Sequence, residues 1–292
     1  MPSLSRDSWM TQREADLARV RPIAAERVNR HGQKHPVYDF LFEYYSFRAA
    51  HVLRWSAGAG IFLADTSPEE TDWPTWYTAH AGGCWIDPAS FPEKRKPYLS
   101  WATEALEKIE AREPHFGCFG LHEWAMVYRT TDVRHNRVPL RLSAEETNSV
   151  VEQHRLCCTH YDAFRFFTPE AVPRNRTQLR KEDVAGFDQP ACIHANMDLY
   201  KFAYKLAPFT PTWLLADALE VAVAARELDM RASPYDLSAL GFTPISIETK
   251  AGREEYVEGQ RKMMEMAQPV RRKMLELYRT VRLGEPATRV VG

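Results

Sequence analysis

The sequence predicts a mainly α-helical protein, a single compact helical domain with a few short strands. Three observations carry this expectation. Apolar residues recur at helical spacing over long stretches that Pro, Gly and Ser punctuate. Only a few short runs read as β. The 292 residues, 45% hydrophobic and 26% charged, have the make-up of a globular chain able to bury a sizeable core. The expected division is an N-terminal helical arm over 1–32, a core over 33–250 and C-terminal helices over 251–292.

The elements follow in order. Residues 7–30 read as a charged helix that His31-Gly32 ends. Pro36 suits the first position of a second helix, which runs to Trp55 with apolar residues on nearly every face, the pattern of a buried helix. "SAGAGIFLAD" breaks it and holds a short strand at 61–64. The Pro-, Gly- and aromatic-rich stretch after it reads as packed loop with one helical turn. An amphipathic helix covers 97–111, and the Gly-punctuated "HFGCFGLHEWAMVYR" runs into an apolar segment. Ser143 and Glu146 form a capping box, so 144–155 is helical. "CCTHYDAFRFF" has strand-like aromatic content, with helix left open, and 168–190, with three Pro, is the longest loop candidate. Helices at 190–207 and 211–231 come next, then a short strand in "TPISIET". The tail from 250 to 281 is helical, with an interruption at Pro269.

Composition narrows the function. A net charge of −1 gives no global footprint for nucleic acid, so such a contact needs a local basic patch. Five scattered Cys, an odd number, point to reduced thiols in a cytoplasmic compartment. The first residues lack the apolar core of a secretory signal, and "WLLADALEVAVAA" is too short and too charged for a membrane span. No Rossmann, Walker, His-Glu-x-x-His or Gly-x-Ser-x-Gly motif occurs.

Several constellations remain. His160-x-Asp162 followed by His194 is the ligand set of an iron facial triad. The spacing is short for double-stranded β-helix oxygenases and the strands of that fold are missing, which weakens the match; a helical non-haem metal-dependent oxygenase acting on a small molecule stays open as an alternative reading. The Cys-x-His pairs at Cys158/His160 and Cys192/His194 do not have zinc spacing and read as packing. His194, Asp198, Lys201 and Lys205 share one helical stripe, either solvated or lining a cleft for an anionic substrate. His122 and Glu123 offer an acid or base, although adjacent helical residues point apart. Glu227 and Arg231 can pair across a turn, with Asp229 or Arg231 open to a site role. Arg174, Arg176, Arg180 and Lys181 make the one local basic cluster, suited to phosphate.

The blocks "HPVYDFLFEYYSFR", "GCFGLHEWAMVYR", "HYDAFRFFTPEAVPRN", "HANMDLYKFAYKL" and "ELDMRASPYDL" resemble a bacterial family, frequent in actinobacteria, whose members are commonly labelled 3-methyladenine DNA glycosylase. The resemblance spans about 36–256. It implies hydrolysis of the N-glycosidic bond of an alkylated base flipped from DNA or of a small nucleotide-like ligand, with no metal or other cofactor. A cationic methylated base is held against aromatic faces while a carboxylate stabilises the oxocarbenium-like sugar. On this reading Asp162 is the first catalytic candidate beside His160, with Glu123 and Asp198 as rivals. Tyr161, Phe164, Arg165, His122, Lys201 and Arg231 bind substrate, and Arg174, Arg176, Arg180 and Lys181 grip phosphates. The competing readings are the iron enzyme, with His160, Asp162 and His194 as ligands, and a non-catalytic helical ligand-binding protein.

Overall fold

The computed structural model describes residues 2–29, 35–131 and 138–285; the expected stop at His31-Gly32 lies outside them. The protein is mainly α. In chain order the elements are β1 (Ser3–Leu4), α1 (Arg6–Asn29), α2 (Phe40–Glu43), α3 (Ala49–Val52), β2 (Phe62–Ala64), β3 (Thr78–His80), β4 (Gly83–Trp85), α4 (Lys96–Ala111), α5 (Leu121–Ala125), α6 (Ala144–Gln153), α7 (Tyr161–Phe164), α8 (Val184–Phe187), α9 (Ile193–Leu206), α10 (Thr212–Ala232) and α11 (Lys250–Leu283). No helix among the described residues is long and apolar enough to cross a membrane.

The chain divides into two compact units. The first comprises 1–107, 198–222 and 269–292. Its sheet has the order β1-β2-β4-β3, with β1 parallel to β2 and the other pairs antiparallel. Leu63 and Cys84 face each other in the register and are fully buried. Around them α1 is fixed by polar contacts that its buried face alone would not specify. The Trp55 indole donates to Asp16 at 2.9 Å, and Arg19 pairs with Asp217 and Glu220 at 2.7 and 2.9 Å. The aromatic run of the first unit packs on itself: Phe47 stacks on Tyr204 with centroids 3.8 Å apart.

The second unit comprises 108–197 and 223–268. Trp124 is fully buried and its indole donates to the Ala232 carbonyl at 2.9 Å. Burying a ring of this size stabilises by about 3 kcal/mol, and the bond removes the cost of a dry indole N–H. Arg141 forks onto both oxygens of Glu248 at 3.0 and 3.2 Å. The capping box of α6 is present, with the Glu146 amide donating to the Ser143 hydroxyl at 3.2 Å and the Ser143 amide to Glu146 at 3.0 Å.

Several expectations need correction. The helix expected from Pro36 to Trp55 is broken into α2 and α3, because Ser46 takes a left-handed φ of +54° and the Phe47 amide closes back on Phe42. The loop before α4 contains the β3–β4 hairpin, turned by Gly82 at φ +80°. Of the two conformations open to "CCTHYDAFRFF" the helix is found in part: 157–160 have no regular structure and lead into α7. "TPISIET" forms no strand. Finally, α11 continues through Pro269. Pro269 and Glu265, whose carbonyl loses its helical donor to the Pro ring, are both exposed residues of this helix.

Candidate metal centre

The site lies wholly within the second unit and is built from five short stretches. At the first, Phe119 and Gly120 take left-handed φ values of +49° and +70°, which lets the Leu121 amide reach the Cys118 carbonyl at 3.0 Å and start α5. A Cβ on Gly120 would lie 3.1 Å from Ala232 and 3.3 Å from the Tyr256 ring, so the turn needs glycine for space as well as conformation. His122 and Glu123 follow at once, and both are buried. The second stretch is pinned by Asn175, which accepts from the Cys158 amide at 2.8 Å and donates to its carbonyl at 3.0 Å. This holds 157–160 extended and places His160 at the start of α7. His194 comes from the first turn of α9, Arg226 and Asp229 from α10, and Tyr256 and Gln260 from α11.

These side chains converge. His122 Nε2 lies 2.7 Å from Asp229 Oδ1, and its Nδ1 lies 3.3 Å from the Cys118 sulfur. Arg226 Nη1 donates to Asp229 Oδ2 at 3.0 Å and to Glu123 Oε1 at 3.3 Å. His194 meets His122 edge-on, with centroids 4.6 Å apart, and stacks on His160 at 5.4 Å. His160 Nδ1 in turn lies 3.0 Å from Asp188 Oδ1. Adjacent residues thus serve one network, because the guanidinium of Arg226 spans the gap between Glu123 and Asp229.

Burial sets the charges. It opposes a charged His122, but Asp229 and then Cys118 outweigh it and raise the imidazole well above its ordinary value. Burial likewise opposes the Asp229 carboxylate, which His122 and Arg226 hold far below the usual range. His194 is pushed well below its ordinary value by burial and by the charge on His122. It is therefore a neutral ring with a lone pair, and its 4.0 Å approach to Asp229 Oδ2 is not an ion pair. Burial and Asp229 raise Glu123. Burial also raises the Cys158 and Cys192 thiols, which stay protonated, and the Tyr256 phenol, which stays neutral.

One ligand atom each from His122, His194 and Asp229 lie within 4.8 Å of one another, the group with metal-holding geometry among the described residues. Donor atoms around an ion at metal–ligand distances near 2.0–2.1 Å sit roughly 2.9–3.4 Å apart. His122 and Asp229 are already that close, and His194 Nε2, 4.0 Å from Asp229 Oδ2, has to move inward to complete the set. The proton now shared between His122 and Asp229 occupies the place an ion would take. Two imidazoles and one carboxylate suit iron(II) with open positions, or zinc with a bound water. Cys118 on His122, and Asp188 on neighbouring His160, fix ring orientation in the manner of partners that support metal ligands. His122, His160 and His194 line a small cavity with room for one water-sized occupant. Tyr256 and Gln260 complete its wall.

The sequence-predicted residues fare unevenly. His122, Glu123, His160 and His194 belong to this cluster. Asp162 does not: it is half-buried and pairs with Arg165 at 3.1 Å, so His160, Asp162 and His194 do not form a three-ligand group. The carboxylate comes from Asp229 instead. Arg165 lies over the Phe166 ring, Phe164 packs on Phe167, and Tyr161 is half-buried on α7. In the first unit Asp198 is buried, accepting from Tyr45 at 2.7 Å and pairing with Lys201, while Lys205 is the member of the α9 stripe that is exposed. Arg231 donates to the Thr243 carbonyl at 2.8 Å and pairs with Glu255 at 3.0 Å, a structural corner. Arg174 donates to the Glu152 carbonyl at 3.1 Å, while Arg176, Arg180 and Lys181 are exposed. Cys118, Asp188, Arg226, Tyr256 and Gln260 were not singled out by sequence. No protein-family model, no curated protein and no solved structure matches the chain.

Proposed function

We propose that this protein is a mononuclear metal-dependent enzyme, an iron(II) oxygenase acting on a small molecule, with His122, His194 and Asp229 as ligands. The observation that supports it is the buried convergence of two imidazoles and one carboxylate, with a neutral His194 and a water-sized cavity alongside. Three protein donors leave an octahedral ion with open positions for substrate or dioxygen. Arg226 compensates the charge of Asp229 and ties it to Glu123, and His160 with Asp188 provides a further oriented ring beside it.

Anaerobic titration with iron(II) followed by nitric oxide tests this. One ion per chain and a nitrosyl adduct, both lost in His194→Ala, are expected. No uptake sinks the metal reading; uptake without a nitrosyl adduct makes the ion structural. Zinc in place of iron moves the chemistry to metal-assisted hydrolysis.

A second reading rests on a separate observation. Cys118, His122 and Asp229 form a relay with spacings of 3.3 and 2.7 Å, the order of nucleophile, base and orienting carboxylate in thiol enzymes. Alkylation of Cys118 at neutral pH that is fast, and slowed in Asp229→Asn, with no ion bound, would favour it. The N-glycosylase reading stands on the resemblance alone. Base release from alkylated DNA, lost in Asp162→Asn, is the result that would bring it forward.

A further inference from the structure

The last stretch of the site carries two polar groups that the ligand set does not use. Tyr256 and Gln260 lie one helical turn apart on α11, so both face the same way. Tyr256 is fully buried and its hydroxyl has no hydrogen-bond partner. Gln260 is 1% exposed; its Nε2 donates to the Ala191 carbonyl at 3.0 Å, which fixes the amide orientation and leaves Oε1 without a partner. Both side chains line the cavity that the rings of His122 and His194 line. Dry donors and acceptors are costly, and such groups in folded proteins are satisfied by protein, water or a ligand. Two of them in the wall of one cavity beside a ligand cluster is hard to account for by packing alone.

We infer that Tyr256 and Gln260 are the positioning pair for the exchangeable ligand of the metal ion, an inference that rests on the metal reading above. Tyr256 donates and Gln260 accepts. The group they select therefore accepts one hydrogen bond and donates another, and is small: a water, or the hydroxyl or primary amide end of a substrate. Gly120 supports the geometry, since only a residue without Cβ lets the α5 turn lie against the Tyr256 ring. A ligand that only accepts, such as an anion, gains from Tyr256 and is repelled by the lone pairs of Gln260.

Azide, an acceptor-only ligand, is the probe. The full-length protein is loaded with cobalt(II), the bound metal is counted, and azide is titrated by visible absorption in wild type, Tyr256→Phe and Gln260→Met. All three should bind one ion per chain. Azide affinity should fall about tenfold in Tyr256→Phe, which loses one hydrogen bond to the ligand. It should hold or rise in Gln260→Met. The metal-free Tyr256→Phe protein should melt no lower than wild type, since the hydroxyl it loses has no partner there. Equal azide affinity in wild type and Tyr256→Phe, with one ion bound in each, overturns the positioning role and leaves the metal reading standing. A lower melting temperature for metal-free Tyr256→Phe also overturns it, by making the hydroxyl structural. A wild type that takes up no cobalt overturns the metal reading and this inference with it.

Discussion

Replacing Asp229 by Asn separates the ligand role of this carboxylate from its structural one. In the metal-free protein Asp229 is fully buried and takes two charge-assisted hydrogen bonds, from His122 at 2.7 Å and Arg226 at 3.0 Å. Breaking a buried pair usually costs about 3–5 kcal/mol because a charge is stranded. Here the cost should fall at the low end, about 3 kcal/mol, for two reasons. His122 owes its charge to Asp229 and reverts to the neutral ring, and Arg226 keeps Glu123. Glu123→Gln is the matched control. It removes one charge from the same guanidinium through a single 3.3 Å contact and should cost about 1–2 kcal/mol. A domain with ordinary stability of about 5–15 kcal/mol survives both. Urea unfolding gives the stabilities and metal analysis of the folded variants gives the binding. Asp229→Asn should be folded and metal-free, and Glu123→Gln folded and metal-bound. Equal metal content in the two variants would refute the assignment of the ligand. Equal stability losses would refute the reading of the charge network.

Further outcomes follow from the same contacts. Asp162→Asn should change stability by less than about 0.5 kcal/mol and leave metal content untouched, since its ion pair with Arg165 is on a half-exposed turn; a metal-free Asp162→Asn would contradict this. Glu248 is raised by burial, but the Arg141 fork outweighs that and holds it below its ordinary value. Its contribution to stability is thus present above the unfolded carboxyl value and fades as pH falls through the folded one. Glu248→Gln should therefore be less stable than wild type at pH 7, and the difference should shrink in thermal melts as pH falls below the ordinary carboxyl value. Pro269→Ala should stabilise by roughly 1–3 kcal/mol, because Pro sits inside the unbroken α11 on an exposed face; a loss in urea unfolding would show a role for the ring.

The helices were legible in the sequence where signals were local. The capping box at Ser143 and Glu146 and the amphipathic pattern of α4 needed nothing beyond neighbouring residues. The break at Ser46 and the unbroken passage through Pro269 depend on backbone conformation and solvent exposure, which periodicity does not encode. At the site, His122, His160 and His194 stood out as residue types. Their partner is harder to single out: Asp229 reads mainly as part of a helix corner, open to a site role, whereas Asp162 completes a familiar spacing with His160. Which carboxylate meets two histidines is decided by three stretches more than thirty residues apart, and spacing within one stretch cannot report it. One signal was available. The blocks "GCFGLHEWAMVYR", "HYDAFRFFTPEAVPRN", "HANMDLYKFAYKL" and "ELDMRASPYDL" carry His122, His160, His194 and Asp229 in turn, and the first also carries Cys118 and Glu123.

Metal analysis of the full-length protein, purified without chelator and compared with His122→Ala and Asp229→Asn, tests the central claim most directly. Near one iron per wild-type chain and less than a tenth of that in each variant, all three folded, is the predicted result. A folded wild type without a transition metal, and unable to take up one equivalent of iron(II), would contradict it.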